Sequence, residues 1–431
     1  MRYYSTNNRN KLVNLEEAVL KGLAPDQGLY MPQRIEPLPA SFWQNITTYS
    51  YQEMAFHVAK QLLGHALPDE DLQGMVMHTL SFDTPVVEVE RDVFSLELFH
   101  GPTLAFKDVG ARFLSGLLGF FARKMNREVI ILVATSGDTG SAVANGFLGV
   151  PGTRVVILFP SGKVSQIQEK QFTTLGQNTV ALEIEGTFDD CQRLVKQAFS
   201  DAELTDQLFL SSANSINIGR LIPQTFYYFR AFQQLSSLGR PIQFCVPSGN
   251  FGNLTAGLLA TRLGLPARPF IAATNLNDVV PRFLSGEAFA PRASMSTVSN
   301  AMDVGNPSNF ARILDLYQRD DKAVRQAIWG ATFDDAATLH AMRDVWQRTG
   351  YLLDPHGAVG YLGCHKYHEA GTMRVFLETA HPGKFKEVVE RAVGQEIVLP
   401  DRLKKFLGAA AYTLKMTNDY NALREYLKQL A

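Results

Sequence analysis

Short apolar runs that alternate with amphipathic stretches organise this chain from residue 84 onward. Most of the runs are rich in β-branched residues, which predicts buried strands, and each is followed by a stretch with helical periodicity. The runs lie at residues 129–133, 155–159, 180–185, 242–246 and 374–377. Strands that alternate with helices indicate parallel sheets covered on both faces. The pattern therefore predicts an α/β fold with open, parallel-type sheets.

The pattern before residue 84 is different, because helical patterns at residues 15–23 and 51–63 flank a proline-punctuated connection and no strand alternation is visible. We therefore divide the chain into an N-terminal layer, residues 1–82, and a body, residues 83–431. A polar stretch at residues 275–318 predicts a mobile connection. Further helices are predicted at residues 109–121, 187–199, 221–235, 334–349, 358–368 and 418–430.

Composition narrows the class of protein. A chain of 431 residues, 46% hydrophobic and 19% charged, has enough apolar residues for more than one packed core. The net charge is −1 and no basic block occurs, so we expect no nucleic-acid partner. The longest apolar stretch, residues 113–121, is too short to span a membrane, and no signal peptide precedes it, so we expect a cytoplasmic protein without a membrane partner. Its three cysteines are isolated, and we expect no bound metal.

One lysine stands where a predicted strand meets a predicted helix. Residues 95–99 alternate like a half-buried strand, Gly101 and Pro102 break it, and Lys107 precedes the apolar helix. Apolar neighbours disfavour an ammonium group, which leaves the free amine that Schiff-base chemistry needs. The alternative is a structural lysine that pairs with Asp108.

Two glycine-containing loops follow predicted strands and precede helices. In residues 248–253, Gly249 and Gly252 allow backbone amides to turn toward an anion, which suits a small phosphate, although a plain turn has the same pattern. Residues 136–141 offer hydroxyls and amides suited to a carboxylate, or simply a helix cap. Asp138 opposes a bare anion there unless it also bonds a cationic or donor group, which suggests an amino-acid substrate or an iminium nearby.

A third polar segment, residues 214–220, places two amides, a hydroxyl and a guanidinium before a helix. Arg220 suits bidentate phosphate binding, and Lys163 suits a supporting point charge. A capped helix and a solvated lysine remain the alternatives.

Taken together, these segments resemble a known family. The run Gly101-Pro102-Thr103-Leu104-Ala105-Phe106-Lys107-Asp108 resembles the cofactor-lysine motif of fold type II pyridoxal-phosphate enzymes, and specifically of the threonine synthases. Further matching segments lie in the same order at residues 3–6, 28–32, 135–140, 214–217, 249–253 and 354–358. The resemblance covers essentially the whole chain and is closer to the shorter bacterial and fungal branch than to the plant branch.

The resemblance implies a fold like that of the tryptophan synthase β subunit, with an N-terminal threonine-synthase-type domain and a body of two α/β subdomains. It implies that Lys107 holds pyridoxal 5′-phosphate as a Schiff base and that Thr379 faces the pyridine nitrogen. The resemblance also implies that the cofactor phosphate is bound by Gly249, Asn250, Phe251, Gly252 and Asn253. It implies that the substrate carboxylate is bound by Ser136, Gly137, Asp138 and Thr139. The substrate phosphate is then bound by Lys163, Asn214, Ser215 and Arg220. Asp138 stands where many fold type II relatives have an asparagine against the ring hydroxyl.

The implied reaction converts O-phospho-L-homoserine and water to L-threonine and phosphate by γ-elimination and β-addition of water, in a monomer or small homo-oligomer. Three alternatives remain: a phospho-lyase releasing 2-oxobutanoate, a sulfur-transferring β-replacement enzyme, and an inactive ligand-binding descendant. A nicotinamide oxidoreductase fits only loosely, because no dinucleotide fingerprint follows any predicted strand.

Overall fold

Three sheets form the framework of the protein in a computed structural model that describes residues 1–367 and 369–430. The strands are β1 (Tyr3–Ser5), β2 (Asn8–Val13), β3 (Tyr30–Pro32), β4 (Val86–Glu90), β5 (Val93–Glu97), β6 (Val129–Ala134), β7 (Thr153–Pro160), β8 (Thr179–Glu185), β9 (Phe209–Ser212), β10 (Ile242–Pro247), β11 (Phe270–Thr274), β12 (Ile328–Thr332), β13 (Met373–Glu378) and β14 (Thr413–Thr417).

The helices cover these sheets. They are α1 (Leu15–Lys21), α2 (Ala40–Asn45), α3 (Tyr51–Leu63), α4 (Asp69–Thr79), α5 (Lys107–Met125), α6 (Asp138–Phe147), α7 (Gln166–Thr173), α8 (Phe188–Ser200), α9 (Ala202–Gln207), α10 (Ile218–Leu221), α11 (Thr225–Leu235), α12 (Gly252–Arg262), α13 (Val279–Leu284), α14 (Phe310–Leu316), α15 (Asp321–Ala327), α16 (Asp335–Thr349), α17 (Pro355–Lys366), α18 (Lys386–Val393), α19 (Asp401–Gly408) and α20 (Tyr420–Lys428).

Two of the sheets carry the α/β body. One has the strand order β12-β11-β10-β13-β5-β4 and is parallel except for the antiparallel edge strand β4. The other has the order β14-β8-β7-β6-β9 and is wholly parallel. All six residues of β6 are buried, because helices cover both faces of a parallel sheet. The α/β prediction is confirmed, with an antiparallel strand that the pattern did not show.

The N-terminal residues form a small antiparallel sheet, β2-β1-β3, with α1 between β2 and β3 and with α2, α3 and α4 after β3. Helix α3 begins at a capping box, in which the Ser50 hydroxyl accepts from the Glu53 amide and the Glu53 carboxylate accepts from the Ser50 amide. The three short strands were missed in the sequence because five of the six residues of β2 are exposed and give no alternating pattern.

Two other predictions differ from the structure. The single helix predicted at residues 221–235 is interrupted by a 3-10 turn at residues 222–224, where Pro223 cannot donate a backbone hydrogen bond. The connection predicted at residues 275–318 contains α13, α14 and a polar network in which Asn275 donates to the Asp303 carboxylate over 2.9 Å. The end of the helix predicted at 358–368 includes His368, which lies outside the described residues.

A buried arginine ties the N-terminal layer to the body. The Arg312 guanidinium is fully buried and donates to the backbone oxygens of Tyr30, Ser215 and Ile216 at 2.6–3.2 Å. It also donates to the Asn309 side chain over 2.7 Å. Burial lowers the pKa of Arg312 to about 9, since no carboxylate among the described residues compensates for lost hydration.

Replacing this arginine tests whether it fastens the two parts together. We expect Arg312→Met to reduce the free energy of unfolding by about 3 kcal/mol or more, because four oxygens lose a charged donor. Chemical denaturation measures the change, and Arg319→Met, at an exposed arginine, is the control. A loss equal to that of the control shows that Arg312 does not fasten the layer to the body.

Candidate active site

Lys107 lies at the first turn of α5, at the end of a tight turn that is hydrogen-bonded to the segment after β13. The Phe106 amide donates to the Thr379 carbonyl over 2.8 Å, and the His381 amide donates to the Leu104 carbonyl over 3.0 Å. Strands β5 and β13 are parallel neighbours, so the residues that follow them meet at one edge of the sheet. Lys107 and Thr379 therefore belong to the same site.

Asp108 shapes this turn and does not pair with Lys107. Its fully buried carboxylate accepts from the Thr103 amide over 2.8 Å and from the Thr103 hydroxyl over 2.6 Å. Burial raises the pKa of Asp108, and the two Thr103 hydrogen bonds oppose that rise. The reading of Lys107 as a structural lysine paired with Asp108 therefore has no support in the geometry.

The Lys107 amine is held in conditions that favour its neutral form. Burial lowers its pKa, the nearby Arg220 and Lys384 charges lower it further, and the Asp138 charge partly opposes them. The positive end of α5 acts in the same direction. Its Nζ atom makes no hydrogen bond to the described residues, and the Phe106 ring centre lies 5.8 Å away. An unprotonated amine of this kind is a nucleophile and a base.

The loop between β10 and α12 presents a row of backbone amides. In the described structure the N–H groups of residues 249–253 have no acceptor, and they lie at the N-terminus of an eleven-residue helix. A Cβ at Gly249 would lie 2.6 Å from Met302 Cα, so only glycine fits there. Phe251 adopts a left-handed conformation with φ of 61°. Amides arranged in this way suit a phosphate group.

Side chains of the same loop fix its shape. Asn250 donates to the Ser215 hydroxyl over 2.6 Å and accepts from the Ser308 amide at the same distance. Asn253 donates to the Pro247 carbonyl over 2.8 Å, which closes the loop on its own strand. Asn250 thereby brings the predicted cofactor-phosphate loop next to Ser215, one of the predicted substrate-phosphate residues.

The loop between β6 and α6 is folded around one threonine. The Thr135 hydroxyl accepts from the amides of Gly137 and Gly140 at 3.0 and 2.8 Å. Ser136 is exposed and Thr139 is half-buried, and the amides of residues 138 and 139 have no acceptor within the described residues. These two amides and the Thr139 hydroxyl form a site of the right size and polarity for a carboxylate.

Asp138 in this loop is paired with a lysine that sequence analysis missed. Lys384 Nζ lies 2.7 Å from Asp138 Oδ1, and Gln168 donates to the same oxygen over 2.9 Å. Burial favours the protonated form of Asp138, but the Lys384 and Lys107 charges outweigh it and hold its pKa well below the ordinary value. The cation that Asp138 requires in this loop is Lys384, and that requirement was the one sequence signal for it.

Arg220 is a buried cation beside Lys107. Its Nη1 donates to the Ala213 carbonyl over 2.6 Å, while its Nε has no partner among the described residues. Gly110 leaves room for it, because a Cβ at Gly110 would lie 2.8 Å from that Nε. Burial lowers the pKa of Arg220 to about 10. A guanidinium that has unused donors and forms no salt bridge within the described residues suits an anionic ligand.

The remaining predicted residues divide into two groups. Asn214 Oδ1 is buried with no partner in the described structure. Asn214 and Ser215 directly follow Ala213, whose carbonyl accepts from Arg220 Nη1, so the three predicted residues are grouped. Lys163 is exposed on the loop before α7 and contacts none of them. No three His, Cys, Asp or Glu side chains in residues 1–367 and 369–430 are grouped as a metal ion requires.

Comparison with known proteins identifies the family. Residues 79–375 match the model of pyridoxal-phosphate dependent enzymes, residues 2–80 that of the threonine synthase N terminus, and residues 357–427 that of the threonine synthase C-terminal region. The chain belongs to the threonine synthase family.

The family relationship extends over the whole chain. Threonine synthase from Escherichia coli is 44% identical over 428 residues, which cover 99% of each chain. The crystal structure of threonine synthase from Escherichia coli superposes with a TM-score of 0.93 at 43% identity and covers 100% of both chains. A structure of threonine synthase from Brucella melitensis with bound pyridoxal phosphate gives 0.94 at 37% identity and covers 100% of this chain and 99% of that one.

The residues present fit pyridoxal 5′-phosphate, which members of the family use. The unpaired amides of residues 249–253 suit its phosphate, and the Lys107 amine suits its aldehyde. The Thr379 side chain has no partner in the described structure and is free to face a ring. The protein is therefore a pyridoxal-phosphate enzyme of fold type II.

The amide row predicts how the cofactor responds to a side chain at Gly249. We expect Gly249→Ala to weaken cofactor affinity about tenfold or more, because the added methyl group must displace the turn at Met302 or the phosphate-facing amides. Titration of cofactor-free protein, followed by absorbance, measures the dissociation constant.

Gly74→Ala is the matched control, since a Cβ at Gly74, on a surface helix, meets nothing within 4 Å. Equal cofactor affinities in the two variants contradict the assignment of the loop.

Proposed function

We propose that this enzyme converts O-phospho-L-homoserine and water to L-threonine and phosphate, with residue roles as follows. One observation carries the proposal: the Lys107 amine lies close to the buried cation Arg220 and to Asp138, whose loop has amides that are unpaired in the described structure. The second loop with such amides follows β10, the strand next to β13. A substrate with an amine, a carboxylate and a phosphate has one group for each of these features.

Orientation of the substrate follows from that arrangement. The amides of residues 138 and 139 and the Thr139 hydroxyl bind the carboxylate, with Ser136 and Gly137 completing the loop. Arg220, Asn214 and Ser215 bind the phosphate. These two anchors fix the carbon chain between them, so that Cα and Cγ are held in reach of Lys107.

Lys107 has two tasks in the reaction. Its amine first holds the cofactor, which supplies an electron sink that makes the proton on Cα acidic. With its amine free of the cofactor, Lys107 would remove the Cα proton as a base. A second proton would then leave Cβ as phosphate departs from Cγ, and Lys107 would return a proton to Cγ as an acid. Burial and the neighbouring cations lower the pKa of Lys107, which favours the neutral amine that the first task needs.

Arg220 acts on the leaving group. Phosphate departs from Cγ with a growing negative charge, and a guanidinium already placed there stabilises that charge without reorganisation of water. Water then adds at Cβ, which distinguishes a synthase from a phospho-lyase. Lys163 is proposed as a weaker phosphate contact, because solvent screens its exposed charge.

Product analysis tests the reaction. Cofactor-loaded protein given O-phospho-L-homoserine is expected to release L-threonine and phosphate in equal amounts, measured by chromatography and a phosphate assay. Phosphate accompanied by 2-oxobutanoate contradicts the synthase proposal in favour of a phospho-lyase on the same scaffold, and absence of phosphate contradicts the substrate.

Lys107→Ala tests the central residue. We expect threonine formation to fall by about 1,000-fold or more, since the variant loses both the cofactor attachment and the acid-base group. Lys124→Ala, at the opposite end of the same helix where Lys124 pairs with Glu16 on the surface, is expected to retain wild-type activity. Appreciable synthase activity in a folded Lys107→Ala protein removes Lys107 from the mechanism.

Arg220→Ala tests the phosphate anchor. We expect kcat/KM for O-phospho-L-homoserine to fall by about 30-fold or more, because a buried charged contact to the substrate is lost. Binding of L-threonine, which has no phosphate, is expected to change little. Lys163→Ala serves for comparison and is expected to give the smaller loss, since solvent screens an exposed charge. Equal losses for the two ligands in Arg220→Ala argue for a general structural role.

Organisation and location complete the proposal. The partner is a small-molecule substrate, and we propose that the enzyme binds no nucleic acid, works in the cytoplasm and is a monomer or small homo-oligomer. Within the described residues no helix has the length and apolar character needed to cross a membrane.

We also propose residue 82 as the end of the N-terminal domain, because α4 ends at Thr79 and β4, the first strand of the body, begins at Val86.

A further inference from the structure

A buried ion pair between Asp138 and Lys384 has no role in the reaction as derived so far. Asp138 is 6% exposed and Lys384 is 1% exposed, and their charged atoms lie 2.7 Å apart. Lys384 Nζ also donates to the Thr103 carbonyl over 2.9 Å. Since Thr103 is held by Asp108, Lys384 joins the carboxylate-facing loop at residues 136–139 to the turn that carries Lys107.

The position of Asp138 creates an electrostatic conflict. Its neighbouring amides face the place proposed for the substrate carboxylate, so a lone aspartate there repels the ligand that the loop must bind. Protonation does not remove the negative charge of Asp138, because the nearby cations keep the pKa of its carboxyl group low. The conflict is relieved only if a positive charge accompanies Asp138 within the protein.

We propose that Lys384 is a positioning residue that cancels the charge of Asp138, so that the loop at residues 136–139 accepts the substrate carboxylate. This inference rests on the proposed function, because it assigns that loop to the carboxylate. Lys384 meets the need geometrically, since its ammonium lies on one Asp138 oxygen and a second hydrogen bond fixes it to the Thr103 carbonyl. Gln168 holds the same Asp138 oxygen from α7.

The pair also sets the charge around Lys107 in a way that can be separated by mutation. Lys384 lowers the pKa of Lys107, whereas Asp138 raises it. Removing the two members therefore shifts that pKa in opposite directions, and removing both leaves a smaller net change. The other charged or titratable groups that face these three side chains are Arg220, Asp108 and His381.

Three variants and a control test the inference: Lys384→Met, Asp138→Asn, the double variant, and Lys386→Met. Lys386 lies two residues further along and pairs with Glu390 at the surface, so it controls for loss of a lysine from this segment. Two measurements are made on the full-length chain. One is the dissociation constant of L-threonine for the cofactor-loaded protein, and the other is the pH dependence of Lys107 acetylation in the cofactor-free chain, read by peptide mass spectrometry.

We expect Lys384→Met to weaken threonine binding by about tenfold or more, because Asp138 is left as an uncompensated charge beside the carboxylate. The double variant is expected to recover most of that loss. Lys384→Met is expected to raise the apparent pKa of Lys107 and Asp138→Asn to lower it. A residue that only supports the fold does not produce opposite shifts or recovery by a second mutation.

Unchanged threonine binding in Lys384→Met, or Lys107 shifts of the same sign in both single variants, overturns the inference. If Lys384→Met does not fold, Asp138→Asn and the double variant test the inference. The pKa of Lys107 must then be lower in Asp138→Asn than in the double variant, because only Asp138→Asn keeps Lys384. If neither the wild-type protein nor Lys386→Met binds L-threonine, the substrate proposal fails, and the opposite Lys107 shifts alone decide whether Lys384 compensates Asp138.

Discussion

Two buried cations, Arg220 and Lys384, lie close to the Lys107 amine. Arg220, Arg312 and Lys384 are all more than nine-tenths buried. Of these three, only Lys384 forms a salt bridge with a carboxylate within the described residues. A buried cation without a counterion is costly, and proteins keep one where a ligand or a set of oxygens compensates for it. Arg312 has its oxygens within the protein, whereas Arg220 keeps unused donors for an anion. The site is therefore prepared for a ligand with negative charge.

The same charges control the one residue that must change protonation state. Lys107 has to be neutral to attack or to accept a proton. Burial alone favours the neutral amine, but it also keeps the amine away from other reacting groups. Here the cations at residues 220 and 384 share the task, and Asp138 prevents the pKa of Lys107 from falling too far. The acid-base chemistry and the anion binding thus depend on one arrangement of charge.

The sequence predicted the parts of the fold whose signal is local. Strands β6, β7, β8 and β10 were placed within two residues, because a strand buried on both faces needs a continuous β-branched run. Strand β14 was missed because it is an edge strand with largely exposed residues. The start of α17 was set three residues late, although Pro355 at its first position and the cap by Asp354 were signals that could have been read.

The candidate site shows why some of its residues could not be predicted from local sequence patterns. Loops at residues 136–139 and 249–253 have compositions that predict anion binding by themselves, since glycines and a following helix are neighbours in sequence. Lys384, Met302 and Gln168 gave no such signal, because each contacts its loop from a distant part of the chain. Asp138 was the exception: an acidic residue in an anion-binding loop implied a cation without revealing its position. Residues that look out of place in an otherwise consistent motif therefore mark where long-range partners must lie, which is the information that local patterns otherwise lack.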